Sequence, residues 1–177
     1  IGLIRARRDD PGAFQLLDEA NEMVYDTGEL MKLVKLKAAR AEAFWLKNEL
    51  QNNVEELIAA YKLVKDSNNP WAIGEIAFWL RKGGKLQKIP EPIAEPYLLQ
   101  IEGRWSEAAE LWEKLKCPYE QAIALSDGNE KAMKKAVEIF EKLGAPAASQ
   151  LIKQKMRKSG IKNIPKGPRQ STKENPS

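Results

Sequence analysis

Apolar side chains recur at three- and four-residue steps over most of this chain, the spacing that gathers them on one face of an α-helix. Between residues 11 and 26 the step is carried by Ala13, Leu16, Leu17, Ala20, Met23 and Val24, opened by Asp10-Pro11 and closed by Gly28. Residues 29 to 47 place Leu30, Leu33, Val34, Ala38, Ala41 and Trp45 on one stripe, and residues 53 to 65 do the same with Val54, Leu57, Ile58, Tyr61 and Val64. Pro70 starts a helix over 71 to 80 that is apolar nearly all round and stops at Gly83-Gly84, so it is expected to be the most buried element. Further helices are predicted over 97–102, 106–116, 119–126, 130–143 and 146–158. Residues 1 to 8 read as the end of an amphipathic helix, which predicts a natural chain that continues upstream. No stretch sustains the two-residue alternation of a strand, and the fold class expected is all-α.

Two segments break the pattern. KLQKIPEPIAEP, residues 85 to 96, holds three prolines in seven residues and cannot sustain a regular helix, which predicts an extended crossover between two helical lobes at 1–84 and 97–159. Beyond Ser159 the apolar period vanishes, and residues 160–177 are rich in Gly, Pro, Lys and Ser, the composition of a flexible basic linker toward a further domain.

The chain also repeats itself. AAELWEKLKCP, from Ala108, returns as AVEIFEKLGAP, from Ala136, at an offset of 28 residues, with Trp112 answering Phe140. An alanine followed four residues later by an aromatic lets one helix approach its partner while the ring fills the gap beside it. That spacing, with a following proline, is part of the tetratricopeptide signature, and EGRWSEAAELWEKL adds a turn glycine, Gly103, and the aromatic Trp105. The standard repeat is about 34 residues long. The shorter offset and fainter echoes at Leu57 with Tyr61 and at Ala13 with Leu17 predict an irregular tetratricopeptide-like solenoid of antiparallel helix pairs, whose neighbours share one continuous core.

Composition narrows the chemistry. Cys117 is the single cysteine and there is no histidine, so an intrachain disulfide is impossible, a structural zinc site is not expected, and Cys117 has no imidazole to generate a thiolate. Between Lys116 and Pro118 it reads as a small packing residue. No phosphate-binding glycine loop, nucleophile elbow or dinucleotide fingerprint occurs, which points to a non-enzymatic protein without a cofactor. No apolar run of about 18 residues and no signal peptide is found, which leads to the expectation of a cytoplasmic chain that makes no membrane contact. Residues 1–152 carry 21 Lys and Arg against 24 Asp and Glu, whereas residues 153–177 carry 8 against 1, so the basic character belongs to the tail. A tail of that sign suits either an acidic partner or a solvated, self-repelling linker.

Polar residues embedded in apolar stripes are the best site candidates, because a buried charge must find a partner and a groove charge can offer itself to one. Arg40, Glu42, Glu75 and Glu95 fit that description. Arg40 or Arg81 pairing internally with one of those glutamates is one reading. In the other, they line a concave surface with Trp71, Tyr97 and Gln100, able to take a peptide, a partner domain or a small effector. The tryptophans Trp45, Trp71, Trp79, Trp105 and Trp112 sit at stripe positions and are expected to pack in the core.

Longer strings then accumulate in order: DTGEL from Asp26, ARAEAFWL from Ala39, NPWAIGEIAFWL from Asn69, AEPYLLQIEGRW from Ala94 and CPYEQAIAL from Cys117. Together they resemble the tetratricopeptide-like region of bacterial LuxR-family transcription regulators, which couple an N-terminal ATPase to a C-terminal helix-turn-helix. GIKNIPKGPRQSTKENP, from Gly160, is similar to the linker that precedes the helix-turn-helix in that family. The resemblance spans nearly the whole chain. It implies a sensor or docking module that biases a larger protein between resting and DNA-binding states, with DNA touched only through a downstream domain not contained in these 177 residues. The principal rival is a stand-alone tetratricopeptide scaffold for protein binding. An RNA-binding array is disfavoured by the net negative charge of residues 1–152.

Overall fold

Ten α-helices and one turn of 3-10 helix form among the described residues, which are 1–27 and 29–165 of a computed structural model. They are α1 (Gly2–Arg7), α2 (Ala13–Thr27), α3 (Leu30–Leu46), the 3-10 turn (Leu50–Asn53), α4 (Val54–Val64), α5 (Pro70–Lys82), α6 (Glu95–Ile101), α7 (Trp105–Lys114), α8 (Pro118–Leu125), α9 (Glu130–Lys142) and α10 (Pro146–Lys158). No strand occurs among these residues, so the chain is all-α where it is described. None of the described helices is long and apolar enough to cross a membrane.

The helix starts follow local chemistry. The side chains of Asn69 and Asn129 accept hydrogen bonds from the Ala72 and Ala132 amides at 3.1 and 3.0 Å, capping α5 and α9. Prolines occupy the first turn of α5, α6, α8 and α10, where a missing N–H costs nothing. The ends share one device. After α1, α3, α5, α6, α7, α9 and α10 the chain passes through a left-handed residue, respectively Asp9, Asn48, Gly84, Gly103, Lys116, Gly144 and Gly160. The next amide then bonds back over the last turn, as from Cys117 to the Trp112 carbonyl and from Ala145 to the Phe140 carbonyl, both at 2.9 Å. Those two bonds are 28 residues apart, so the sequence repeat is also a repeat of backbone geometry.

The repeated side chains do what their spacing predicts. Ala108 and Ala136 are fully buried, and Trp112 and Phe140 are buried beside them. Each aromatic meets a tyrosine that follows a first-turn proline: Trp112 lies 5.3 Å from Tyr97 and Phe140 lies 5.2 Å from Tyr119, measured between ring centroids. Trp79 is buried as expected, but Trp71 remains 46 % exposed, resting its ring against Tyr97 and Trp112 at the edge of the array.

Successive helices pack on one another, and a second set of contacts joins α1 to α3 and α3 to α5. α10 then returns to touch both α1 and α3, so the first and last helices meet and the array closes on itself. One apolar cluster runs through all of it, from Ala6 to Met156. Eight of the thirteen residues of α5 are buried, in keeping with its apolar character. α3 departs from the single stripe expected of it. Packed against α1, α2, α4, α5 and α10, it buries Leu36, Ala43 and Leu46 as well as the polar Lys37 and Glu42, while Leu30 lies at the margin. Met23 likewise leaves its expected stripe and is 70 % exposed.

Between α5 and α6 the chain has neither helix nor strand; the Glu91–Pro92 peptide is cis. Leu86, Ile89 and Ile93 pack on the core, and the Ala94 amide donates to the Pro70 carbonyl at 3.0 Å, which ties the crossover to the start of α5. After α10, Ile161 and Ile164 rest partly buried on the core. Gly28, expected to close α2, and residues 166–177, the greater part of the expected linker, lie outside the described residues.

Candidate ligand cavity

The helices α1, α3, α5, α6 and α8 surround a cavity of about 350 Å³. Its walls come from helical spacing. Lys35, Ala38, Ala39 and Glu42 stand on one face of α3, and Glu75, Phe78 and Trp79 on one face of α5, in each case at steps of three and four. The alanines leave the room; the aromatics and carboxylates give it character. Tyr97 and Gln100 enter from α6, Glu120 and Ile123 from α8, and Leu3 and Arg7 from α1.

Gly74 fixes the position of Tyr97. A Cβ added at Gly74 would lie 2.7 Å from Tyr97 Cδ2, so the absence of a side chain in mid-helix is what lets α6 settle so closely on α5. The Tyr97 ring is also held by Phe78, at 6.1 Å, and by Trp112. Burial pushes the Tyr97 hydroxyl well above its ordinary pKa, and the negative charges of Glu75 and Glu120 push it further. It therefore stays a neutral phenol.

Glu42 is committed. Its carboxylate accepts from Arg7 Nε at 2.6 Å and from Nη2 at 2.9 Å, and the carboxylate side chain is only 7 % exposed. The same guanidinium lies 3.5 Å from the centroid of the Tyr119 ring. Burial alone would lower the Arg7 pKa, but the Glu42 hydrogen bonds and charge outweigh it and the net direction is upward. Arg7 thus joins α1 to α3 and α8 at the cavity wall.

Glu75 is less well served. Its only ion pair among the described residues is Lys35, at 2.9 Å, and that lysine is 67 % exposed. Burial raises the Glu75 pKa, Lys35 lowers it in part, and the nearby charges of Glu42 and Glu120 raise it again, leaving it above the ordinary carboxylate range. Glu120 makes no ion pair among the described residues. The Trp112 indole N–H, which can only donate, bonds the Gln100 Oε1 at 2.9 Å, so the amide nitrogen faces the other way, buried and without a partner.

Of the residues singled out from sequence, Glu42, Glu75, Tyr97 and Gln100 come together in this cavity. Trp71 stands behind it, in contact with Tyr97 and Trp112. Glu95 lies exposed in the first turn of α6, away from the cavity lining. Arg40 is elsewhere and is paired differently from the expectation. It bonds Asp18 and both oxygens of Glu56, each oxygen at 3.0 Å, clamping α2 and α4 onto α3, and Arg81 donates to the Ile101 carbonyl at 3.3 Å. Neither arginine forms an ion pair with Glu42, Glu75 or Glu95 among the described residues. Sequence reasoning missed Arg7, Lys35 and Glu120, whose only signal is the helical spacing of α3 that aligns Lys35 with Glu42; as isolated charges they look like solvated surface.

No protein-family model, curated protein or solved structure matches this chain.

Proposed function

We propose that the chain is the tetratricopeptide-like effector-sensing module of a LuxR-type transcription regulator, in which occupancy of the central cavity biases a downstream DNA-binding domain. The observation that carries the reading is the cavity itself: five helices distant in sequence contribute to one space of about 350 Å³, so a ligand there would alter their mutual placement rather than that of one element. A volume of this size suits a small molecule. The Ala-x-x-x-aromatic repeat, with its repeated helix ends, supports the tetratricopeptide-like description, and the ordered strings from Asp26 to Leu125 support the regulator. An effector acts only through a difference in affinity for two arrangements of the array. The protein-scaffold reading shares the fold and differs in its output.

The test is to translate the gene on both sides of this chain and then to measure promoter binding by the full-length protein with the cavity intact and with Ala38 and Ala39 enlarged to leucine. A helix-turn-helix downstream, together with DNA affinity that changes between the two proteins, is the expected result. A reading frame that stops shortly after Ser177 would remove the regulator and leave a binding scaffold.

A further inference from the structure

The charges facing the cavity are unbalanced. Three carboxylates, Glu42, Glu75 and Glu120, face two cations, Arg7 and Lys35. Arg7 gives two of its five N–H donors to Glu42 and lies against the Tyr119 face, so its charge is already matched by that carboxylate. Lys35 reaches Glu75 from the solvent side and is mostly exposed, which makes it a displaceable partner. What remains is Glu75 with one exposed cation and Glu120 with no ion pair among the described residues, set beside the rings of Phe78, Trp79 and Tyr97. Carboxylates next to aromatic rings in a partly desolvated space are the environment that selects an organic cation, since a ring face is electronegative and the carboxylates supply full charge. An anion would meet those same carboxylates, and a neutral apolar molecule would leave them desolvated and unpaired.

We propose that the cavity between α1, α3, α5, α6 and α8 binds a small organic cation, an alkylammonium or guanidinium, held by Glu75 and Glu120 against the aromatic wall, with Lys35 as the group it displaces. α1 covers one side with Leu3 and Arg7, which favours a free small molecule over the side chain of a docked protein. This inference deepens the sensor reading by naming the class of effector, but it concerns binding to this chain alone and does not need a DNA-binding output.

The experiment is calorimetric titration of the 177-residue chain with hexylamine against hexanol and hexanoate, and with tyramine against tyrosol, agmatine being added as the guanidinium ligand. At least one amine is expected to bind at least tenfold tighter than its counterpart. Glu75→Gln and Glu120→Gln are each expected to weaken that amine roughly tenfold or more, the loss of one charge-assisted bond. Lys35→Met is expected to tighten it by about threefold, because it removes the competing cation. Near-ultraviolet circular dichroism of the variants separates loss of binding from loss of fold. Equal binding of the counterparts, no amine binding at millimolar concentration, or weaker binding in Lys35→Met would each overturn the proposal. A lysine-containing peptide binding more tightly than any free amine would assign the site to a protein partner and overturn the small-molecule assignment. Amine binding that leaves the promoter affinity of the full-length protein unchanged would sink the sensor reading and spare the cation site.

Discussion

Single residues here carry opposite electrostatic duties, and pH tells them apart. Glu56, on α4, accepts from Lys37 and Arg40 of α3 and from Asn53 of the 3-10 turn. Burial alone would raise its pKa, but the hydrogen bonds and charges of Lys37 and Arg40 prevail and hold it below the ordinary range. A depressed carboxylate stabilises the fold above its unfolded pKa, near about 4.3, and loses that contribution as pH falls through the lower folded value. Glu56→Gln is therefore expected to cost about 2 kcal/mol in denaturant titrations at neutral pH, and the gap from the parent should close below the carboxylate range. A gap that persisted in acid would show that Glu56 acts by packing and not by charge. Gly74 answers to sterics alone. In Gly74→Ala the new methyl must displace Tyr97, so roughly 1–3 kcal/mol of destabilisation is expected despite alanine's better helix propensity, read as a lower urea midpoint. Unchanged stability would mean that α6 can shift without loss.

Helices and their ends were the most legible level. The three- and four-residue steps located every long helix, Pro70 and Pro146 marked two of their starts, Pro11 fell two residues short of α2, and the repeat at Ala108 and Ala136 marked the two helices whose packing is alike. Which face of a helix meets which neighbour was not legible. α3 shows why: with helices on several sides it has no single buried stripe, and a buried Lys37 or Glu42 looks like any surface charge until its partner across the array is known. The cavity suffered the same limit, since pairing Arg7 with Glu42 takes a contact between residues 35 positions apart. Helix ends also give a prediction. Lys116 holds the left-handed position that Gly144 occupies in the second copy, with φ of 57° and 67° respectively. A side chain there is strained by about 1 kcal/mol, so Lys116→Gly is expected to stabilise the protein by roughly 0.5 kcal/mol once the greater freedom of unfolded glycine is subtracted. A lower melting temperature for that variant would mean that the lysine side chain holds something the backbone argument omits.

At the scale of the whole molecule, the contact of α10 with α1 and α3 makes the array a closed body, and Arg7 is its central fastening. Removing that guanidinium leaves the carboxylate of Glu42 buried and unpaired. Arg7→Met is expected to cost about 3–5 kcal/mol, and adding Glu42→Gln should return much of the loss. Hydrogen exchange offers a local readout: amides of α10 should exchange faster in Arg7→Met although no atom of α10 is altered. An effect confined to α1 would show that the ring does not transmit the change.

Closure also orders events in time. A ribosome makes α1 before α10, so the contact between them bridges nearly the full length of the described chain and cannot form until α10 has emerged. Until then the nascent array is an open arc, and the apolar surface that Ala147, Ile152 and Met156 of α10 will bury faces solvent and other chains. Joining distant ends carries an entropic cost that grows only slowly with loop length, so the delay comes from the order of synthesis.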